Sequence, residues 1–448
     1  LCLRVFVVNL WPVRFDEAVS YLLSLGHETL AMKLGLANVT RLLAALDDPQ
    51  RAYPAVQIAG TNGKGSTAAM LAAAARAAGL RTGLYTSPHL VSITERINLN
   101  GADIAPAEFA RHATQVRAAA EALHDETGAR PTFFEQVTAV ALLAFRAAGV
   151  ELAILETGLG GRLDATTAAR ARVVAVTPVA LDHQAYLGNT LAEIAAEKAA
   201  IIRPDTSVVV APQPDEARAV ITARCRECGV TPVWATERVR VLDATADGRL
   251  RAVFETAEDV YEVNPLALRG RHQLTNAATA VALAETLRAR GFPVTRAAII
   301  EGLETAAHPG RLELRPGTPP LLFDGAHNPA GAAALRAYLD EFVRAPLTLV
   351  FGAMADKELA ELAAALFPAA RRLVLTRPTN PRAAPPDALA QLAQQHARPA
   401  TVELAAPPAA ALARAYELTP PDGLICVTGS LYLIGEVQAL LPGLASRL

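Results

Sequence analysis

Apolar residues fall in two kinds of run along the chain: short unbroken ones, and longer ones broken by polar positions. Residues 55–59, Ala-Val-Gln-Ile-Ala, form a short apolar run of the kind a buried parallel strand shows. Residues 81–86, 151–156, 172–177, 207–211 and 231–234 predict further strands. The longer runs predict helices at 15–25, 36–46, 66–80, 106–127, 133–148, 190–202 and 216–228. Pro106 opens one of these and Gly128 follows its end. Thr132 with Glu135, and Thr190 with Glu193, have capping-box spacing. A turn is expected around residues 26–35, another at 98–101, and an antiparallel β insert over 235–265. Residues 270–290 and 294–303 predict two more helices.

The Pro/Gly-rich stretch from His308 to Pro320 marks a domain boundary, giving domains over 1–310 and 311–448. Beyond it strand and helix alternate again, with strands at 321–324, 347–351, 372–375, 401–404 and 424–428. That predicts a second, smaller doubly wound unit.

Composition narrows the class. A chain of 448 residues is longer than one core usually supports, and 52% apolar content excludes a disordered chain. The net charge of −2 gives no basic surplus for nucleic acid. Four cysteines are too few for a disulfide framework, and Cys225 and Cys228, a lone C-x-x-C, are expected on one helix without a metal or redox role. No apolar run reaches 18 residues, so no membrane partner is expected. Residues 1–14 resemble a signal segment only faintly, and a strand or an extension is expected there; the protein is expected in the cytoplasm.

The chemistry concentrates after the first strand, at Gly60, Thr61, Asn62, Gly63, Lys64, Gly65 and Ser66. Strand, glycine loop and helix form the context in which backbone N–H groups at a helix N-terminus hold phosphate. Lys64 would add a charge toward the β- and γ-phosphates. The spacing departs from G-x-x-x-x-G-K-[ST], because Gly60 to Gly63 is short and Gly65 separates Lys64 from Ser66. The fold class expected is α/β: a large N-terminal P-loop-type ATPase domain with a mostly parallel sheet, plus a smaller C-terminal Rossmann-like α/β domain.

Three polar residues follow strand ends in the first domain: Ser87, Glu156 and His183. Parallel strands place their C-termini on one edge, the edge that carries the glycine loop. A hydroxyl, a carboxylate and an imidazole beside a triphosphate suit a Mg²⁺ site. Lys198 sits in an apolar helix, either snorkelling or desolvated with a lowered pKa. In the second domain Asp324 and His327 follow the first strand and point to a ligand.

The motifs taken together resemble the folylpolyglutamate synthase/dihydrofolate synthase family of the Mur ligase superfamily. GTNGKGS at 60–66, TSPHL at 86–90, ERI at 95–97, FFEQVTAVA at 133–141 and ETGLGGRLDAT at 156–166 carry the likeness. LDH at 181–183, AAEKAAII at 195–202, GRHQLTNA at 270–277, HPGRLE at 308–313, DGAHNPA at 324–330 and TGSLYLIGEV at 428–437 continue it in family order. Ala200, Arg203 and Thr167 depart from the usual Gly, Lys and Asn, and the last leaves substrate preference open.

The resemblance implies roles. Residues 60–66 would bind the ATP phosphates, with Asn276 on the adenine and Arg311, Asp324 and His327 closing on the cleft. Ser87, Glu156 and His183 would hold Mg²⁺, and a carbamylated Lys198 a second ion. Lys64, Lys198, His183 and Glu156 would thus serve catalysis. Thr132, Leu163, Asp164 and Ala165 match positions that contact the pteridine. The implied reaction joins L-glutamate to a folate or pteroate carboxylate through an acyl phosphate, and a monomer is expected. Another Mur-type ligase, or a nucleotide-dependent switch, are the alternatives; the chain has no N-K-x-D guanine signature.

Overall fold

The computed structural model describes residues 14–26, 35–236, 238–396 and 401–441. The expectations for residues 1–13 and for the turn at 27–34 lie outside the described residues.

Eight strands build the larger sheet, in the order Ala102–Asp103, Ile97–Leu99, Thr82–Tyr85, Leu152–Glu156, Ala55–Ala59, Val173–Val176, Ser207–Val210, Pro232–Trp234. From Thr82–Tyr85 onward every pairing is parallel. The strand Ala55–Ala59 lies in the middle and is buried throughout, as its unbroken apolar run predicts. The first two strands are antiparallel additions. They correct the turn expected at 98–101: only Asn100 and Gly101 turn, with φ of 51° and 96°, and the residues on either side pair as a hairpin.

The helix Lys64–Ala77 begins two residues earlier than its sequence pattern predicts, because Gly63 in the left-handed region supplies its N-cap. Its alanines have a packing reason. The helix is buried against the sheet and against the helices His272–Ala289 and Arg296–Thr305. A Cβ on Gly302 would lie 2.3 Å from the backbone nitrogen of Ala74, so the two helices meet nearly backbone to backbone. Only small side chains allow that approach.

The helix Pro106–Thr127 matches its prediction at both ends, closed by Gly128 at φ 70°. Both capping boxes form, Thr132 with Glu135 and Thr190 with Glu193. The helix from Leu191 stops at Ala199 rather than at 202. Pro204 bars its extension, and Ile201 and Ile202 turn into the core fully buried. The insert is a three-stranded antiparallel sheet, Val260–Val263, Leu250–Glu255, Val239–Ala244.

The second sheet has six strands, in the order Glu313–Arg315, Leu321–Asp324, Leu424–Thr428, Leu347–Phe351, Arg372–Leu375, Thr401–Leu404. Five occupy the predicted positions and pair in parallel. The antiparallel Glu313–Arg315 was not predicted, being three residues long and partly exposed. Cys225 is buried on the helix Asp215–Glu227, where burial pushes its thiol up to about 11, and Cys228 follows as that helix's C-cap, one residue past the helix on which both were expected. Among the described residues no helix is long and apolar enough to cross a membrane.

Candidate functional site

The strand Ala55–Ala59 delivers Gly60–Ser66 to the C-terminal edge of the larger sheet. The N–H groups of Thr61 and Asn62 are already bound to the Pro178 carbonyl, at 3.0 and 3.2 Å. The loop therefore offers a ligand the first-turn N–H groups of Lys64, Gly65 and Ser66, which precede the first helical bond, Thr67 N to Gly63 O at 2.9 Å. Two glycines are required by close approach. A Cβ on Gly63 would lie 2.1 Å from Asn276 Oδ1, and one on Gly65 would lie 2.6 Å from His308 Nε2.

Side chains converge on this edge from both sheets. Glu156 is buried at its strand end and its Oε2 accepts from Ser87 N at 3.3 Å. Burial raises its pKa, against the opposing charge of Lys64 and the Ser87 bond. His183 sits at φ 52° one residue after Asp182. Burial pulls its imidazole down to about 3, so the ring is neutral. Lys198 is buried, and its Nζ donates to the Gly60 carbonyl at 2.8 Å. Burial, then the nearby Lys64 charge, lower its pKa to about 7.

From the second sheet, Asp324 is buried and accepts from Leu312 N and Ala326 N, both at 3.0 Å. It thereby ties Leu312, next to Arg311, to the loop that carries His327. Asn328 donates to Asn62 Oδ1 at 3.0 Å, so the two halves touch at the glycine loop.

One cavity of about 340 Å³ is lined by the whole 60–66 loop and by Glu156, His183, Lys198, Asn276, Arg311 and Asp324. Ser87 and His327 line it too. A second cavity, lined by Thr132, Leu163, Asp164 and Ala165, shares the wall made by Ser87, Gly158, Leu159, His183, His327 and Leu431. All the residues proposed from the sequence for the nucleotide, metal and acid sites thus line one of two adjoining spaces. In the second, Asp164 is turned into its own loop: Oδ2 accepts from Gly158 N and Leu159 N, and Oδ1 from Thr166 N and Thr166 Oγ1. Thr132 is a helix N-cap, accepting from Glu135 N at 3.3 Å. Both residues shape the cavity wall as well as line it.

The donor set fits a divalent cation beside a polyphosphate: an acidic oxygen at Glu156, the Ser87 hydroxyl and a neutral imidazole, all lining the cavity of the glycine loop. Among the described residues no group of three or more His, Cys, Asp or Glu side chains forms a metal cage by itself. Phosphate oxygens and water complete such a site in phosphoryl-transfer chemistry.

Sequence reasoning missed four participants. Asp182 accepts from Asn328 and Lys357 and lies 3.5 Å from His327 Nε2; it lies in the L-D-H motif, which drew attention only to its histidine. Lys357 and Arg382 line the second cavity from the second domain, and no local pattern marks either. Gln57, fully buried in the middle strand, donates to Thr166 Oγ1 at 2.9 Å and Thr167 Oγ1 at 2.7 Å. A glutamine inside an apolar strand was the available signal.

Comparison with known proteins agrees with this geometry. Residues 58–284 match the family described as Mur ligase middle domain, and residues 310–431 the one described as Mur ligase, glutamate ligase domain. The architecture is thus that of a Mur ligase. The folylpolyglutamate synthase of Lacticaseibacillus casei is 33% identical over 96% of this chain and 99% of its own length. A solved structure of Mycobacterium tuberculosis folylpolyglutamate synthase complexed with ADP superposes with a TM-score of 0.88 at 32% identity, covering 95% of this chain and 98% of the other. The chain belongs to the folylpolyglutamate synthase/dihydrofolate synthase family. A Haloferax volcanii protein, named "Probable bifunctional folylpolyglutamate synthase/dihydropteroate synthase", is 37% identical over 95% of this chain. This chain spans about half of that relative's length, 50%.

Proposed function

We propose that the chain is an ATP-dependent ligase that joins L-glutamate to the carboxylate of a folate, with dihydropteroate as a second candidate acid. The observation that carries this reading is the shared wall between the two cavities, one built on the glycine loop and one on the Leu163–Ala165 loop. An acid bound in the second space would present its carboxylate at Ser87 and His183, beside the phosphate cradle. The relatives support the substrate classes: the Mycobacterium tuberculosis structure contains ADP, an Escherichia coli neighbour contains DHPP and ADP, and a further neighbour contains Mn, AMPPNP and L-glutamate.

In the proposed reaction the substrate carboxylate attacks the γ-phosphorus of ATP and ADP departs. The glutamate amine then attacks the acyl carbon, loses a proton, and phosphate leaves. Such chemistry depends on in-line placement and on charge neutralisation. Lys64 and the first-turn N–H groups would neutralise the transferred phosphoryl group, and the contact of Asn328 with Asn62 would close the cleft against water. Asn276 would border the adenine, and Arg311, Asp324 and His327 would complete the nucleotide cleft. The reading divides the chain at residue 310, with the acid and nucleotide on the first domain and a glutamate-ligase domain from 311.

Ser87, Glu156 and His183 would hold one Mg²⁺, and a carbamylated Lys198 a second; bound metal would supply further positive charge to the phosphates. A lysine amine with a pKa near 7 is largely neutral at mildly alkaline pH, the form that captures carbon dioxide. A monomer working in the cytoplasm belongs to the same proposal.

The test is an ATP-coupled assay comparing tetrahydrofolate with dihydropteroate, each with and without L-glutamate. ADP release that requires both an acid and glutamate, and that disappears in Lys64→Ala, is the expected result. ATP hydrolysis indifferent to both would overturn the reading in favour of a switch.

A further inference from the structure

The strands that carry the nucleotide loop have another end. Ala55, Leu152 and Val173 begin three neighbouring parallel strands, and a cavity of about 430 Å³ opens at that N-terminal edge. Strands of five residues put it roughly 17 Å from the glycine loop. Its inner wall is apolar, with Tyr53, Leu152 and Leu287 buried. Its rim is cationic: Arg51, Arg170, Arg172 and Arg290 all line it, and no acidic side chain does among the described residues.

All four arginines are exposed, and two of them have side-chain partners. Arg51 pairs with Asp48 at 3.2 Å, and Arg290 donates to Ser207 Oγ at 3.1 Å. Neither Arg170 nor Arg172 forms an ion pair among the described residues. Behind them Arg203 spends its guanidinium on the carbonyls of Ile201 and Ala171. Its pKa is lowered by burial and then by the charge of Arg170. The chain as a whole carries a net charge of −2, so the cluster is a local feature and not the overflow of a basic protein. Guanidinium groups gathered around one concave space repel each other, and they present forked donors matched to carboxylate and phosphate oxygens. Arg170 itself stands at φ 50°, a left-handed conformation that a non-glycine residue rarely adopts, at the rim of this cavity.

We propose that this cavity is an anion site separate from the nucleotide cleft, taking a compact small molecule with at least two phosphate or carboxylate groups. Arg170 and Arg172 supply the unpaired guanidinium groups, Arg51 and Arg290 close the rim, and the apolar wall receives the body of the ligand. The assignment stands independently of the ligase reading, because it uses no residue of the nucleotide or acid cavities.

Isothermal titration with inorganic tripolyphosphate and with citrate tests it, on the full chain with saturating ADP present and divalent metal omitted. ADP occupies the glycine loop and removes that loop as a competing site. Binding of either probe is expected, and Arg170→Glu/Arg172→Glu should weaken it at least tenfold while ADP binding stays unchanged. The milder Arg172→Gln should weaken it several-fold, and covers the case in which the double variant fails to fold. Binding of tripolyphosphate alone identifies a phosphate ligand; citrate alone identifies a carboxylate. Absence of binding by both probes, or equal binding by wild type and the arginine variants, overturns the proposal.

Discussion

Asn328 Nδ2 donates to the Asp182 carboxylate across 3.0 Å, joining the first loop of the second sheet to the larger sheet. Lys357 and His327 meet the same carboxylate. Burial pushes the Asp182 pKa up, but its interaction with His327 and the nearby Lys357 charge outweigh it and hold the carboxyl well below the usual range. The side chains of Asp182 and Lys357 are 7% and 9% exposed, so truncating Asp182 leaves the Lys357 ammonium buried without this partner. Breaking such a pair costs roughly 3–5 kcal/mol. Asp182→Ala is expected to lose stability of that order in urea unfolding, and to slow ligation at least tenfold by loosening the closed cleft. Adding Lys357→Met should recover part of the stability. Simple additivity of the two losses would show that the pair does not couple the domains.

Gln57 supports the loop of the second cavity from beneath. Its amide holds Thr166 and Thr167, and Thr166 Oγ1 in turn donates to Asp164, which organises the turn at Gly158 and Leu159. Gln57→Leu keeps the volume and removes the donors. The loop that lines the acid cavity should loosen, raising KM for the pterin acid about fivefold, equivalent to about 1 kcal/mol. ADP affinity should stay unchanged, since the glycine loop bonds separately to Pro178. An equal rise in KM for ATP would place Gln57 in the nucleotide site instead.

Much of this site is legible in the sequence because parallel sheets put chemistry at strand ends. Ser87, Glu156 and His183 could be grouped before any coordinates, as each follows an apolar run and such runs end on one edge. The strands of the second sheet were legible for the same reason. Asp182 and Lys357 were not. Their significance lies in a contact between residues 175 positions apart, and no local period records which loops of two domains will face each other. Asp164 shows the opposite limit: the resemblance assigned it a pteridine contact, and it does line a cavity, but only the hydrogen bonds reveal that its carboxylate is already occupied. The short strand Glu313–Arg315 and the hairpin at Asn100 escaped because neither is long enough to show alternation.

Lys198→Ala is expected to abolish glutamate ligation, because it removes both the donor to Gly60 and the amine that would be carbamylated. A small carboxylate such as acetate or formate should partly restore turnover by taking the place of the carbamate anion. Restoration by methylamine, but not by formate, would instead assign Lys198 the role of a cation.

The buried amine also makes stability depend on pH in a direction that can be checked. The folded pKa of about 7 lies below the ordinary lysine value of 10.5. Between those values the unfolded chain holds a proton that the folded chain has shed, so wild-type stability rises with pH across the window and levels off on either side of it. At about 1.4 kcal/mol per pH unit the full rise is on the order of 5 kcal/mol. Lys198→Met lacks this term while filling similar space. Wild type and Lys198→Met should therefore differ most in the variant's favour at pH 7, and wild type should gain steadily on the variant toward pH 10. Urea unfolding of both proteins in buffer free of carbon dioxide measures this, because a carbamylated lysine no longer titrates as an amine. Parallel stability curves across pH 7–10 would mean that the folded amine keeps its proton, and with it the reason to expect carbamylation at this position would fall.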